Sequence, residues 1–305
     1  MIDILDTVES RESINYYLLN SEIIKHKQNA YSFKRKKLSI ENLRRTFEYA
    51  KLGAFSRIIN RVGKKNADVT GFELKKYKSF PDKKIVVYTC IWGKYDTINE
   101  PMYVNKNIDY VIITNQNIPK SSAWKKIDIS KLLDIKGKTD VEINRMCKML
   151  PHLIFPDYDY SIYIDGNIRI ITDMMPIISD MGENVIGIHE YPEDCIYEMK
   201  NAVIVGKRAK KEDLLPQIEK YKKEGFPEHF GAFECNIIAR KHNDKNCIEL
   251  MNSWWEEFQE TPSKRDQFSF VYVLWKHGLK ADYVFSLGYN VRFNPRFQIV
   301  HHSIK

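Results

Sequence analysis

The hydrophobic positions of the chain fall into two recurring patterns. Nearly unbroken apolar runs, rich in β-branched residues, recur at 84–91, 110–114, 160–164, 185–189 and 234–240. Each has the length and composition of a buried strand. Stretches at 138–152, 193–208, 210–224, about 246–260 and about 265–277 read as helices. Shorter strands are expected at 124–129 and 283–285, and the chain closes on Phe297 to His302. Strands alternating with helices predict an α/β protein with a mostly parallel sheet covered on both faces.

The first 82 residues are patterned differently. Residues 1–30 read as a helix with an imperfect stripe of Ile14, Tyr17, Leu18, Ile23 and Ile24. Ser39 is placed to cap a long helix running to about Val62, with Leu43, Phe47, Ala50, Ala54, Ile58 and Val62 on one face. Residues 63–82 are polar and end in Pro81-Asp82, as a linker does. The expected organisation is a helical segment and linker over 1–82 and an α/β domain over 83–305.

Charge sharpens this division. The net charge is +8, and residues 1–82 hold 17 Lys and Arg against 10 Asp and Glu. The remaining residues hold 31 against 30. A near-neutral body without a recognition motif argues against nucleic acid. The basic N-terminal helices admit three readings: a solvated face, peripheral attraction to anionic lipid through residues 1–65, or a helical docking module. Five scattered cysteines without a Cys-x-x-Cys pair fit free thiols in a reducing compartment. The N-terminus has acids where a leader needs bases, and no apolar run reaches membrane-spanning length. The expected location is cytoplasmic.

Candidate chemistry gathers where the strands end. The central run Tyr160 to Ile164 is followed by Asp165-Gly166-Asn167. In open α/β sheets ligands bind beyond the carboxyl ends of strands, and Asp165 with Asn167 offers hard oxygens to a divalent cation. An ordinary tight turn is the competing reading. Tyr88, Thr89, Thr114, Asn115 and His189 lie at or near the ends of other strands. Gly-x-Gly-x-x-Gly, the Walker pattern, Gly-x-Ser-x-Gly and His-Glu-x-x-His are absent, which disfavours dinucleotide dehydrogenases, P-loop NTPases, α/β-hydrolases and zincins. A metal-capable carboxylate with bases nearby suits transfer from a nucleotide-activated donor.

The stretch from Lys84 to His302 resembles a glycosyltransferase-like family first catalogued as a domain of unknown function. It includes plant proteins linked to seed mucilage and turgor and bacterial surface-polysaccharide proteins. The resemblance is carried by Tyr88-Thr89, Gly93-Lys94-Tyr95-Asp96, Asn144 to Lys148, Tyr163 to Asn167, His189 to Glu198, Trp254-Trp255 and Arg265 to Ser269. It leaves the first 80 residues outside. It implies a GT-A, Rossmann-like fold, a UDP-sugar or related nucleotide-sugar donor, and a glycan or lipid-linked acceptor in polysaccharide biosynthesis. Mn²⁺ or Mg²⁺ is implied at Asp165, with Asp-Gly-Asn standing where many such enzymes carry Asp-x-Asp. Asn167 and His301 or His302 would complete the metal shell, the alternative for the histidines being a solvated tail. Tyr88, Thr89, Asp96 and Thr114 would border the nucleoside, and Arg145 and Lys148 would face phosphate or donor sugar. Asp266 is the candidate carboxylate at the reacting sugar, unless it only favours its helix dipole. Gln267 would bind donor hydroxyls, and His189, Glu190, Asp194 and Glu234 would line the acceptor side. Trp254 and Trp255 would stack on sugar or pack the core.

Overall fold

A computed structural model of the chain describes residues 6–36, 40–52, 54 and 76–302. Its elements in order are β1 (Asp6–Val8), α1 (Arg11–Lys36), α2 (Ile40–Lys51), β2 (Lys76–Lys78), β3 (Ile85–Ile91), β4 (Asp109–Thr114) and β5 (Lys125–Ile127). There follow α3 (Asp140–Met149), α4 (Pro151–Ile154), β6 (Tyr160–Ile164), β7 (Ile168–Ile170), α5 (Met175–Met181), β8 (Ile186–Glu190), α6 (Ile196–Val205) and α7 (Lys211–Lys223). The last are β9 (Phe233–Arg240), α8 (Lys245–Glu260), α9 (Asp266–Lys276), β10 (Phe285–Ser286) and β11 (Phe297–Ile299). The helix expected to reach Val62 is described over α2 alone. Its Ser39 cap and nearly all of its continuation lie outside the described residues.

Seven strands form one mixed sheet in the order β10-β8-β9-β6-β3-β4-β5. Only β9 runs antiparallel to its neighbours, β6 and β8; the pairs β3–β4, β3–β6, β4–β5 and β8–β10 are parallel. This is the mostly parallel α/β sheet that the alternation of strands and helices predicts. Alternate residues of the apolar runs feed the two faces. Val86, Tyr88 and Cys90 of β3 join the core beneath α3, α8 and α9, while Ile85, Val87 and Ile91 join the opposite core with Met174, Ile178 and Met181. A strand buried on both sides therefore needs a continuous apolar run rather than an alternating one.

The chain leaves β3 to build β4 and β5 on one side, then returns to place β6 on the other. The strand order thus reverses between β3 and β6. Ligands in open α/β sheets bind in the crevice at such a reversal, and here it is flanked by the Trp92–Asp96 loop and by Asp165.

Two small antiparallel ladders tie the ends of the chain to this body. β1 pairs with β2, and β11 pairs with β7 with Ile299 opposite Ile168. Residues expected to be linker thus include a strand, and Lys78 N–H donates to Ser179 Oγ of α5 at 2.9 Å. The buried Asn20 of α1 donates to the Pro295 and Phe297 carbonyls at 2.8 and 3.0 Å. The expected division at residue 82 is therefore no break in packing: α1 is hydrogen-bonded to the C-terminal strand. Among the described residues no helix is long and apolar enough to cross a membrane.

Candidate active site

Helix α3 delivers two cations to the strand reversal. Thr139 and Glu142 close a capping box at its start, which fixes the helix N-terminus. Arg145 and Lys148, three residues apart, share the face turned to the sheet edge. At the far end the buried Arg240 guanidinium donates to Lys148 O at 2.8 Å and to Tyr88 Oη at 2.7 Å, and Tyr88 Oη donates to Cys147 O at 3.1 Å. A buried cation on the last carbonyls complements the negative end of the helix.

Lys148 is 1% exposed and Asp266 3%. Lys148 Nζ donates to Asp266 Oδ2 at 2.5 Å and lies 3.5 Å from Asp165 Oδ1. Arg145 Nε lies 3.1 Å from the same Asp266 oxygen. Burial on its own would raise the Asp266 pKa; the charges of Arg145, Lys148 and Arg265 outweigh it and hold the carboxyl well below the usual range. Asp266 opens α9, its Oδ1 accepts the Gln267 N–H at 3.1 Å, and its carbonyl accepts Trp254 Nε1 at 3.0 Å. Asp165, at the end of β6, is half-buried and its Oδ1 accepts the Tyr163 hydroxyl at 2.9 Å. Burial, then the Asp165 charge, pushes the Tyr163 phenol up.

On the other side of Asp165 the C-terminal tail closes in. Continuing the β11–β7 register brings Val300 to Asn167, and Val300 N–H donates to Asn167 O at 2.8 Å. His302 follows. Its Nδ1 meets Asp96 Oδ1 at 2.7 Å, its Nε2 is 3.4 Å from Asn167 Nδ2, and its ring lies 4.6 Å from that of Tyr95. Burial and the nearby Asp165 raise the Asp96 pKa, against the pull of His302. Gly166 makes this approach feasible: a Cβ there would sit 2.7 Å from Ile91 Cγ1 and 3.3 Å from Asp96 Oδ2. Gly93 has φ +80°, and a Cβ would fall 2.2 Å from Asp140 Oδ2. The loop it starts is braced by Asn115 Oδ1, which accepts Gly93 N–H at 3.0 Å, and by Gln116 Nε2, which donates to the Gly93 and Asp96 carbonyls at 2.8 and 3.0 Å. Gly93, Lys94, Tyr95, Asn115, Gln116, Asn117 and Asp140 line a cleft of about 740 Å³.

Asp165, Asn167 and His302 are the side chains of donor types that a divalent cation would take here. A histidine that binds metal through Nε2 characteristically has its other nitrogen held by a carboxylate, which is the Asp96–His302 arrangement. Asp165 and Asn167 add oxygens of the kind Mg²⁺ and Mn²⁺ take. Among the described residues no three His, Cys, Asp or Glu are grouped to hold an ion, and the Asn167 atom facing His302 Nε2 is its amide nitrogen Nδ2. His301 is exposed, and it is His302 that reaches Asn167.

Several residues singled out in the sequence turn inward instead. Tyr88 is fully buried, with its hydroxyl spent on Arg240 and α3, so it borders no nucleoside. Thr89 is buried, and Thr114 Oγ1 is consumed by the Ile91 carbonyl at 2.6 Å. His189 is buried against Phe297, with Nε2 3.0 Å from Asn294 Nδ2, and burial lowers its pKa to about 3; it lines no acceptor surface. Gln267 is buried, donates to Glu234 O at 2.8 Å and accepts from Arg265 at 2.8 Å, so its amide is engaged by β9 and by Arg265. Trp254 is core, and Trp255 stacks on Phe258. Glu190 and Asp194 are exposed, and Asp194 pairs with His229 at 2.9 Å. Glu234 is half-buried and accepts the Val291 N–H at 2.9 Å. Sequence reasoning missed Arg240, Asn99, which donates to Gly166 O at 2.9 Å, and Cys235, whose φ of 51° kinks β9 beside the cluster. None of these stands out in a single sequence, because each acts through a contact distant along the chain.

The mixed sheet, the strand-end carboxylate and the paired cations of α3 define a glycosyltransferase-like α/β protein. The chain belongs to the TOD1/MUCI70 glycosyltransferase-like domain family, whose model matches residues 17–302. The match thus takes in most of α1, which the sequence alone had left outside the resemblance. No curated protein sequence matches the chain. Similar solved structures include the apo form of WbbM, a bifunctional glycosyltransferase (12% identity, TM-score 0.43, 77% of this chain and 45% of that chain). Others are mouse xyloside xylosyltransferase 1 in its apo form (9%, 0.39, 67% and 83%) and the mannosyltransferase Ktr4p from S. cerevisiae (10%, 0.33, 77% and 75%). The chain thus spans less than half the length of WbbM.

Proposed function

We propose that the protein is a glycosyltransferase that moves a sugar from a nucleotide-sugar donor, a UDP-sugar in the first instance, to a glycan or lipid-linked acceptor in surface-polysaccharide assembly. The observation that supports this most is the convergence of Asp165, Lys148, Arg145 and Asp266 at the strand reversal, next to the cleft of the β3 and β4 loops. In such a transfer the departing diphosphate gathers negative charge. Lys148 and Arg145 are cations already fixed in place, and preorganised charge costs no reorganisation as the bond breaks. Asp266 is their anchor: with both cations on one buried carboxylate it holds them in place rather than taking a proton. Asp165, Asn167 and His302 would hold Mn²⁺ or Mg²⁺, whose chemistry there is to offset phosphate charge. Asp96 keeps the His302 ring in position.

Thermal-shift titration with UDP-sugars, with and without Mn²⁺, tests the reading, because ligands of the native state raise its stability. Asp165→Ala is expected to abolish donor turnover while the protein stays folded. Undiminished turnover in that variant overturns the assignment. Turnover of a glycan without any nucleotide would make the protein a hydrolase instead, and nucleotide binding without transfer a binding module.

Peripheral contact with an anionic membrane is part of the same proposal. Leu43 and Phe47, one turn apart on α2, are 57% and 61% exposed beside the exposed Arg44, the composition of an interfacial helix. Leu43→Gln together with Phe47→Gln should weaken association with anionic liposomes, and unchanged association would remove this part.

A further inference from the structure

The cleft of about 740 Å³ beside the charged cluster holds one carboxylate among its lining residues, Asp140. It is the first residue of α3 and is exposed. Its Oδ2 rests against Gly93: a Cβ on that residue would collide with Asp140 Oδ2 and Cγ, so the close approach needs the glycine. The start of α3 has no need of this carboxylate, because Thr139 and Glu142 form the capping box. The neighbouring amides are spent on the loop, Asn115 Oδ1 on Gly93 N–H and Gln116 Nε2 on the Gly93 and Asp96 carbonyls. The Asp140 backbone carbonyl accepts Asn144 Nδ2 at 3.1 Å. Among the described residues its carboxylate accepts no hydrogen bond and has no cation within ion-pair distance. An acceptor held in position on a cleft wall, with its hydrogen-bonding capacity unused, is suited to a ligand that donates.

Charge is laid out in order along α3. Arg145 and Lys148 follow Asp140 by five and eight residues, which is about 7.5 and 12 Å further along the axis at 1.5 Å per residue. A carboxylate repels phosphate, so a nucleotide in this cleft turns its uncharged part to Asp140 and its diphosphate to Arg145 and Lys148, beside Asp165. That separation is on the scale of a nucleoside and its diphosphate. We propose that Asp140 receives the 2′ and 3′ hydroxyls of the donor's ribose, so that the protein takes ribonucleotide donors and discriminates against their 2′-deoxy counterparts. An ionised carboxylate only accepts, and its two oxygens match two adjacent O–H donors. Uracil offers a single N–H between two carbonyls, which a carboxylate opposes. The inference rests on the nucleotide-sugar reading of the cleft.

Calorimetry on the full chain in the presence of Mn²⁺ tests it. UDP, GDP, CDP and ADP are titrated, and each one that binds is compared with its 2′-deoxy analogue, on the wild type and on Asp140→Asn and Asp140→Ala. The wild type is expected to bind the ribose form about ten times or more tightly than the deoxy form, the factor that a hydrogen bond to a charged group supplies. Both variants are expected to lose most of their affinity for the ribose form while that for the deoxy form changes little, so that the preference collapses. Equal affinity for the two forms in the wild type, a preference that survives in the variants, or an equal loss for both forms overturns the inference and leaves the nucleotide-sugar reading standing. Failure of all four nucleotides to bind overturns that reading and the inference with it. A collapse of the preference in a protein that transfers no sugar keeps the ribose contact and removes the transfer reading alone.

Discussion

Replacing Asp266 by Asn removes the buried carboxylate closest to both Lys148 and Arg145 while keeping the shape of the side chain. Lys148 Nζ is 2.5 Å and Arg145 Nε 3.1 Å from Asp266 Oδ2, and Lys148 is 1% exposed. Breaking a buried pair by removing one partner costs about 3–5 kcal/mol, because the remaining charge is stranded. In a chain of this size about 1 kcal/mol corresponds to roughly 1.5–2 °C, so the melting temperature should fall by roughly 5–10 °C. The pH dependence carries a definite sign. The folded pKa lies below the ordinary 3.8, so the stabilisation is complete above about pH 4 and declines as pH falls further. The gap between wild type and variant should therefore be constant from pH 8 to pH 5 and narrow below pH 4. Urea unfolding followed by circular dichroism measures both quantities. A double-mutant cycle with Lys148→Met isolates the pair, with an expected coupling of about 1–3 kcal/mol. A coupling near zero, or a gap that widens in acid, would refute the account of Asp266 as the carboxylate that keeps these cations in place.

Other perturbations follow from the same geometry. His302→Ala should abolish Mn²⁺ binding measured by calorimetry, while Asp96→Asn should weaken it by about 10–100-fold, as loss of a carboxylate behind a metal-binding histidine does. Gly166→Ala places a Cβ 2.7 Å from Ile91 Cγ1; overpacking of this kind costs about 1–3 kcal/mol in chemical denaturation, and Mn²⁺ affinity should drop with it as Asp96 shifts. Glu9→Gln strips the carboxylate from Arg296 at a contact of 2.5 Å between half-buried and buried side chains, and should lower the melting temperature measurably, whereas substituting the exposed Glu22 of the Lys25 pair should leave it unchanged.

What the sequence disclosed and what it hid divide along a physical line. Long apolar runs disclosed β3, β4, β6, β8 and β9 to within a residue or two, because strands buried on both faces leave an unambiguous composition. Asp165 was legible because a carboxylate and a glycine interrupt such a run at its end. Arg145 and Lys148 were legible as neighbours on one helix face. The polar strand-end residues were not legible as to side. Tyr88 and Asp96 stand eight positions apart around one strand end, yet Tyr88 is sealed in the core and Asp96 meets the tail. Which way each faces is settled by packing partners such as Arg240, 152 residues further on. His189 looked like a polar tip, but β9 and the β10–β11 segment close over it, and its Nε2 is held by Asn294.

The N-terminal helix acquires its place from the same long-range contacts. His302 reaches Asn167 only because β11 pairs with β7. The start of β11 is held from the opposite side, by Asn20 on the Pro295 and Phe297 carbonyls and by Glu9 on Arg296. Arg296 in turn donates to the Thr172 hydroxyl at 3.1 Å and the Asp173 carbonyl at 3.2 Å, just past β7. Asp173 accepts Asn105 Nδ2 at 2.9 Å, and its own N–H donates to Ser13 Oγ at 2.9 Å. One buried polar network therefore spans α1, β7 and β11, and a network of this kind is rigid only when each member is satisfied. The strand that carries the histidine to the site is clamped between the sheet and α1. Asn20, the α1 residue bonded to β11, falls within the family match that begins at residue 17, whereas Glu9 and Ser13 precede it.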